Sequence, residues 1–274
     1  MDRNSPDSYR EPSWEASLAA TREFVEYAEA RGGALVRPIV TPRFAISCSD
    51  ELMRGLGALA AEKGLPVQSH ISENCAEIAF TRELHPENRD YADVYGSRGL
   101  LTARTIMAHG VHLSEAELAQ FAAAGAGVSH CPRSNLALCS GLAPVRRLLQ
   151  RGLRVGLGTD MSGGPSASLW DAMRGAVETS AAVSFGSPEL APLSYREALH
   201  LGTLGGAALV GMADRLGSFA PGKWFSAQVI DPAAGTFDAY PAQGETAGDL
   251  FQKCFYLLDD RNIAQVYVKG RRVK

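Results

Sequence analysis

The feature that most constrains this chain is a rhythm: short apolar runs alternate with longer amphipathic stretches over roughly its first 211 residues. Runs at 35–40, 65–70, 105–109, 126–130 and 154–158 have the length and character of buried strands. The stretches between them carry helix punctuation. Pro12 and Ser13 precede a helix with Leu18, Thr21, Val25 and Ala28 on one stripe, stopped at Gly32 and Gly33. Ser49 opens the next, with Leu52, Leu56 and Leu59 on one face and Gly64 just past its end. Asn74 to Leu84 and Pro144 to Gln150 also read as helices, and another begins near Ser168. Ser114 with Glu117, and Ser194 with Glu197, have the spacing of capping boxes, where hydroxyl and carboxylate each satisfy a backbone N–H at a helix start.

Strands separated by helices at this spacing predict βαβ units and a parallel sheet. The regular repetition suits a (β/α)8 barrel, and no GxGxxG follows the first strand, which weighs against a dinucleotide-binding sheet. Only five strands can be counted where a full barrel has eight. After Gly211 the texture changes. Leu216 to Pro232 reads as a turn-punctuated strand pair, and Ile263 to Val273 as another that turns at Lys269–Gly270. The expected organisation is an α/β barrel portion over 1–211 followed by a small β unit over 212–274.

Charge and cysteine content narrow the function class. With 27 basic and 30 acidic residues and no basic cluster, a nucleic-acid surface is not expected. Five cysteines, an odd number without any CxxC pair, argue against a disulfide framework and for a reducing, cytoplasmic setting. The polar start MDRNSPDSYREP has no apolar signal region, and no apolar run has the length of a membrane span.

Three polar clusters close predicted strands: Gln68 to Glu73, Met107 to Gly110, and Gly158 to Asp160. In a barrel, the C-terminal strand ends converge on the face that carries the active site. His70, His109 and Asp160 are then candidate metal ligands, because imidazole and carboxylate both bind zinc. Glu73, one short turn after His70, places a carboxylate where it can move a proton. A single histidine in an apolar strand is more often a packed core residue; the recurrence of His, His and Asp at three strand ends is what favours a metal site. His130 ends a further strand and reads either as lining the same mouth or as holding its loop by a backbone hydrogen bond. His85, His112 and His200 read as surface or packing residues, and the cysteines as small buried hydrophobes.

These residues carry a resemblance. TPRF (41–44), QSHISEN (68–74), MAHG (107–110), SHCPRSNLAL (129–138) and GLGTDMSGG (156–164) resemble motifs of the guanine deaminases, members of the amidohydrolase superfamily. In the tail, TLGGAALVG (203–211), GSFAPGK (217–223) and LDDRNIAQVYVKGRRV (258–273) extend it over essentially the whole chain. The resemblance implies hydrolysis of guanine to xanthine and ammonia at one zinc ion, in a homodimer. It implies that His70 and Asp160 are zinc ligands, with Asp160 also accepting a proton from water. Glu73 matches the proton shuttle, and His109 the histidine beside the metal. Arg43 and Phe44 match residues that recognise the purine. Independently of the resemblance, the fixed donor fork of Arg43 suits a ring carbonyl and nitrogen edge, and Phe44 offers a stacking face.

The chain departs from the family in one respect with chemical weight. The family carries a His-x-His pair followed by a substrate-contacting glutamine, whereas none of the six histidines here lies two residues from another. The expectation is therefore a truncated chain without the segment that bears the pair, inactive on its own, with doubtful zinc binding and open sheet edges. The competing readings are another aminohydrolase acting on a different purine or a triazine, and a non-catalytic remnant that binds a full-length partner. Ser226, where an acidic residue is usual after the GK turn, leaves that turn's hydrogen bonding open.

Overall fold

A computed structural model describes residues 1–33, 35–234 and 244–274. Its centre is a four-stranded, wholly parallel sheet: β1 (Val67–Ile71), β2 (Thr105–His109), β3 (Gly127–His130) and β4 (Arg154–Leu157), hydrogen-bonded in that order. Helix α1 (Trp14–Gly32) and α2 (Asp50–Lys63) precede it. The strands are joined through α3 (Cys75–Leu84) and α4 (Tyr91–Gly96), through α5 (Glu115–Ala124), and through α6 (Pro132–Ala137) and α7 (Val145–Gln150). Helices α8 (Leu169–Gly186), α9 (Tyr195–His200) and α10 (Gly206–Leu209) follow, with a π-helical turn at Leu201–Gly205.

The expected helix starts form as the capping residues dictate. Ser13 and Ser49 accept the backbone N–H groups of Ala16 and Leu52, and Gly64 ends α2 in the left-handed conformation. Asn74 with Glu77, Ser114 with Glu117 and Ser194 with Glu197 form reciprocal capping boxes. The sheet is buried between helices, and its core joins Val67, Met107, Val128 and Val155 to Leu52, Leu56, Tyr95, Phe121 and Leu148. Gly156 admits the backbone of α10 at Gly206 and the Leu209 side chain against β4.

Two strand expectations need correction. Residues 35–40 do not form a fifth strand; the segment pairs with β1 only through a parallel bridge between Val40 and Val67. Pro38 and Pro42 supply no N–H to a ladder, so regular pairing is interrupted after Val40 N–H donates to Pro66 and Gln68 N–H to Val40, and His70 N–H, donating to the Arg43 carbonyl, rejoins the two segments. The 216–232 segment gives one strand, β5 (Ala227–Ile230), and not two. It pairs antiparallel with β6 (Ile263–Val268), which pairs with β7 (Arg271–Arg272) across the Lys269–Gly270 turn. Both turn residues have positive φ, as a tight hairpin requires. Ser226 Oγ accepts the Lys269 N–H of this hairpin at 3.1 Å, whereas the Gly222–Lys223 turn is closed without it, by Lys223 N–H donating to the Ala220 carbonyl at 3.2 Å.

Three helices were not anticipated. One is α4, capped by Asp90. Another is α6, which starts with Pro132 in its first turn. The third is α11 (Ala247–Leu257), capped by Thr246 and Asp249, whose Phe255 packs with Met173 and Ala198 of α8 and α9. Part of the tail, residues 235–243, lies outside the described residues. Among the described residues no helix is long and apolar enough to cross a membrane.

The tightest helix packing lies at Gly57 of α2. A Cβ there would overlap the carbonyl oxygen of Arg98, whose buried guanidinium is pinned by Asp50 and Glu87 and cannot yield. Gly57→Ala should therefore lower the stability measured by urea unfolding by about 1–3 kcal/mol, the usual effect of overpacking. An unchanged midpoint would show that this approach is not close.

Candidate metal and substrate site

The site is built at the C-terminal ends of the strands. Parallel register sets Ile71 opposite His109 and His130 opposite Leu157, so the residues that close β1, β2, β3 and β4 come to one level. One ligand atom each from His70, His109 and Asp160 lies within 4.8 Å of the others. The rings of His70 and His109 stack at 5.2 Å. His109 and Asp160 both have positive φ (72° and 48°), as does Ser72 (48°) beside Glu73. Residues with a Cβ rarely adopt that conformation and cost roughly 1–3 kcal/mol where they do, so the surrounding bonds must hold them there.

Each imidazole has one nitrogen tied to the protein and the other left for the site. His70 Nδ1–H donates to the Arg43 carbonyl at 2.6 Å. His109 Nδ1 meets Asn135 Oδ1 at 2.9 Å. His109 Nε2 lies 3.7 Å from Glu73 Oε2. Ser134 Oγ donates to Asp160 Oδ2 at 2.5 Å, leaving the second carboxylate oxygen free of it. This donor set fits zinc: neutral imidazoles oriented by a bond at the far nitrogen, plus a carboxylate. Tetrahedral donors bonded at about 2.1 Å lie roughly 3.4 Å apart, so the trio would close by up to roughly 1.4 Å around the ion. Burial, and then the neighbouring His109, push the His70 pKa below its ordinary value, in the direction of the neutral ligand form.

A second grouping, Asp50, His85 and Glu87, also brings donor atoms together. There the Arg98 guanidinium, only 2% exposed, bonds Asp50 at 2.5 Å and Glu87 at 2.8 Å, and Arg3 meets His85 at 2.9 Å. The cation position is already taken by protein.

Arg43 and Phe44 sit beside His70. Phe44 meets the His70 ring edge-on at 6.5 Å, and the exposed Arg43 guanidinium lies over the Phe44 ring at 5.1 Å. The loop is fastened to β1 by the Arg43 carbonyl, which also accepts from His70 N–H and Ser69 Oγ, each at 3.2 Å. Fully buried Tyr95 strengthens the same joint: its hydroxyl accepts the Ala45 N–H at 3.0 Å and donates to the His70 carbonyl at 2.7 Å. Sequence reading missed Tyr95, Asn135, Ser134 and Ser140, because nothing in their spacing distinguishes them from ordinary helix and loop residues.

Two expectations about side chains are corrected here. His130 does not hold its loop through a ring hydrogen bond; it is 0% exposed and neither ring nitrogen has a partner. Its loop is held by backbone, with Gly158 N–H donating to the His130 carbonyl at 2.9 Å. Cys75 and Cys139 are exposed, while Cys48, Cys131 and Cys254 are the buried fillers expected. Burial, and then the charge of Asp160, push the Cys131 thiol up to about 12.

Two measurements follow. Tyr95→Phe removes the joint's hydroxyl and should destabilise the chain by about 1–3 kcal/mol, since it strands buried partners; an unaltered unfolding curve would contradict the joint. Burial, with His109 nearby, depresses His130 to about 3 from its ordinary 6.5. Between those values the unfolded chain holds a proton that the folded chain refuses, so this contribution is complete above pH 6.5 and is lost as pH falls toward 3. His130→Phe should flatten the fall in stability between pH 6.5 and 4. An equally steep fall in the variant would assign the acid sensitivity elsewhere.

With this geometry in hand, the comparisons are direct. The model of the amidohydrolase family matches residues 1–273. The guanine deaminase of Dictyostelium discoideum is 45% identical over 276 residues, covering 100% of this chain and 61% of that protein. A crystal structure of guanine deaminase from C. acetobutylicum, with guanine bound in its active site, superposes with a TM-score of 0.93 at 38% identity, covering 100% of this chain and 64% of that one. An adenosine deaminase from Xanthomonas campestris with bound zinc shares the fold at 24% identity and a TM-score of 0.84, over 99% of this chain and 58% of its own. The chain spans 53–61% of the length of the curated relatives it matches. Sequence, strand order and strand-end donors agree: the chain belongs to the amidohydrolase family.

Proposed function

We propose that this chain carries the zinc-binding and proton-handling part of a guanine deaminase, which hydrolyses guanine to xanthine and ammonia. The observation that carries the reading is the convergence of His70, His109 and Asp160, with Glu73 Oε2 3.7 Å from His109 Nε2. The similarity to guanine deaminases supplies the substrate. The four-stranded sheet is read as part of a (β/α)8 barrel over 1–211, with 212–274 as a small appended unit. Dimerisation and a cytoplasmic setting belong to the same reading.

His70, His109 and Asp160 would hold the zinc ion. When bound, it lowers the pKa of water into the neutral range and so supplies a nucleophile. The rest follows from the chain's own groups. Glu73 takes a proton from the attacking water and returns it to a ring nitrogen of the purine, which makes the amino-bearing carbon electrophilic. Asp160 accepts the second proton and passes it to departing ammonia. The Arg43 guanidinium has no ion-pair partner among the described residues, so its donors are free for the purine carbonyl and nitrogen edge, while Phe44 stacks on the ring. The four-stranded sheet has no strand partner at the outer edge of β4 and only the Val40 bridge at β1, among the described residues. For that reason we expect the 274-residue chain on its own to turn over no guanine.

The test replaces the matching segment of the Dictyostelium enzyme with this chain. The hybrid should convert guanine to xanthine and ammonia, and Glu73→Gln should lower kcat by about 10²-fold or more while zinc content stays constant. Hydrolysis of a triazine or another purine in place of guanine, or a Glu73→Gln variant near the parent rate, would sink the assignment.

A further inference from the structure

Glu73 lies just after β1 and His109 ends β2, yet both are fastened to one short segment, Asn135–Ser140, at the end of α6. Asn135 Oδ1 meets His109 Nδ1 at 2.9 Å, and Ser140 Oγ donates to Glu73 Oε1 at 2.9 Å. Both fastening residues are buried, at 1% and 6% exposure. The segment is closed on itself, because Ser140 N–H donates to the Asn135 carbonyl at 2.8 Å. It is anchored from outside by His112, whose Nε2–H donates to the Ser140 carbonyl at 2.7 Å. Gly141 then turns away at φ 133°, where a Cβ would come within 3.0 Å of Val111 and 3.2–3.3 Å of the His112 ring. A larger residue could not keep the loop this close.

Every polar group of Ser140 is therefore engaged, and its hydroxyl occupies one particular oxygen of Glu73. The consequence is an asymmetric carboxylate. Oε1 is held by Ser140, and Oε2 is the oxygen left facing His109 Nε2 at 3.7 Å. A free glutamate rotates about its last bond with little preference, so without such a bond the two oxygens would exchange places.

We infer that Ser140 is a positioning residue that aims Glu73 Oε2 at the reacting groups, with Asn135–Ser140 setting the spacing between Glu73 and His109. This rests on the reading of Glu73 as the proton carrier. Ser140 touches neither metal nor substrate and acts through Glu73. A merely structural serine would satisfy a buried loop and affect stability; a positioning one affects where a carboxylate points.

The experiment compares the parent, S140A and S140T as the 274-residue chain, by crystallography, melting temperature and zinc content, and as the hybrid enzyme by kinetics. In S140A the Glu73 carboxylate should leave its single position for more than one rotamer, with Tm within about 3 °C of the parent and zinc content unchanged. In the hybrid, kcat should fall roughly 10–100-fold with KM for guanine unchanged, the range seen when groups that orient an active-site residue are removed. S140T should restore the carboxylate position and most of kcat. A Glu73 carboxylate that stays in place in S140A overturns the inference, as does a loss in which Tm and KM change together and threonine gives no rescue. If the hybrid leaves guanine untouched, the functional assignment fails, while the Glu73 position in the S140A crystal still decides the role of Ser140.

Discussion

Parallel pairing in a single register is the constraint on which everything else here depends. A strand's side chains alternate faces, so a slip of one residue between β1 and β2 would turn His109 away from His70 and dissolve the cluster. The register is fixed from both sides. Buried Val67, Met107, Val128 and Val155 lock the sheet into its helical layers, and the Arg43 carbonyl ties the preceding loop to β1 through three donors. That carbonyl also sets the His70 tautomer, so a fold-level contact determines which nitrogen faces the site. Tyr95, contributed by a helix between β1 and β2, holds the same joint from behind.

The surroundings of the site trade stability for position. His109 and Asp160 hold left-handed backbone conformations, and His130 is buried with two unpaired nitrogens. Each is unfavourable alone. Their concentration at the strand ends, on an otherwise well-packed sheet, is the pattern expected where geometry is maintained against local preference. The Arg98 cluster is the instructive contrast. It has the same ligand-type residues at similar spacing, but an internal cation satisfies them, and they serve to fix α2 and the His85 loop.

Much of this was legible in the sequence, for identifiable reasons. Capping chemistry is local, so Ser13, Ser49, Asn74, Ser114 and Ser194 marked helix starts that the fold reproduces. Strand-end chemistry is nearly local, so His70, Glu73, His109 and Asp160 could be picked out before their meeting was seen. The 35–40 run misled because apolar content does not supply a ladder donor, and Pro38 and Pro42 have none. Helix α4 was missed because it is a single short element whose cap, Asp90, is followed by no long periodic stretch. Asn135, Ser140 and His112 were invisible for a different reason: their partners are between 26 and 67 residues away, and no local pattern encodes such a bond. The exposed Cys75 and Cys139 show the same limit, since burial is a property of the assembled surface.

The central claim is that two imidazoles and a carboxylate at the strand ends form the metal site. X-ray absorption at the zinc edge of the zinc-loaded chain tests it most directly. The account predicts a shell of nitrogen and oxygen only, at about 2.0–2.2 Å, with the outer-shell scattering of two imidazoles, lost stepwise in His70→Ala and His109→Ala. A sulfur neighbour near 2.3 Å, or an imidazole signal that persists in both variants, would contradict it.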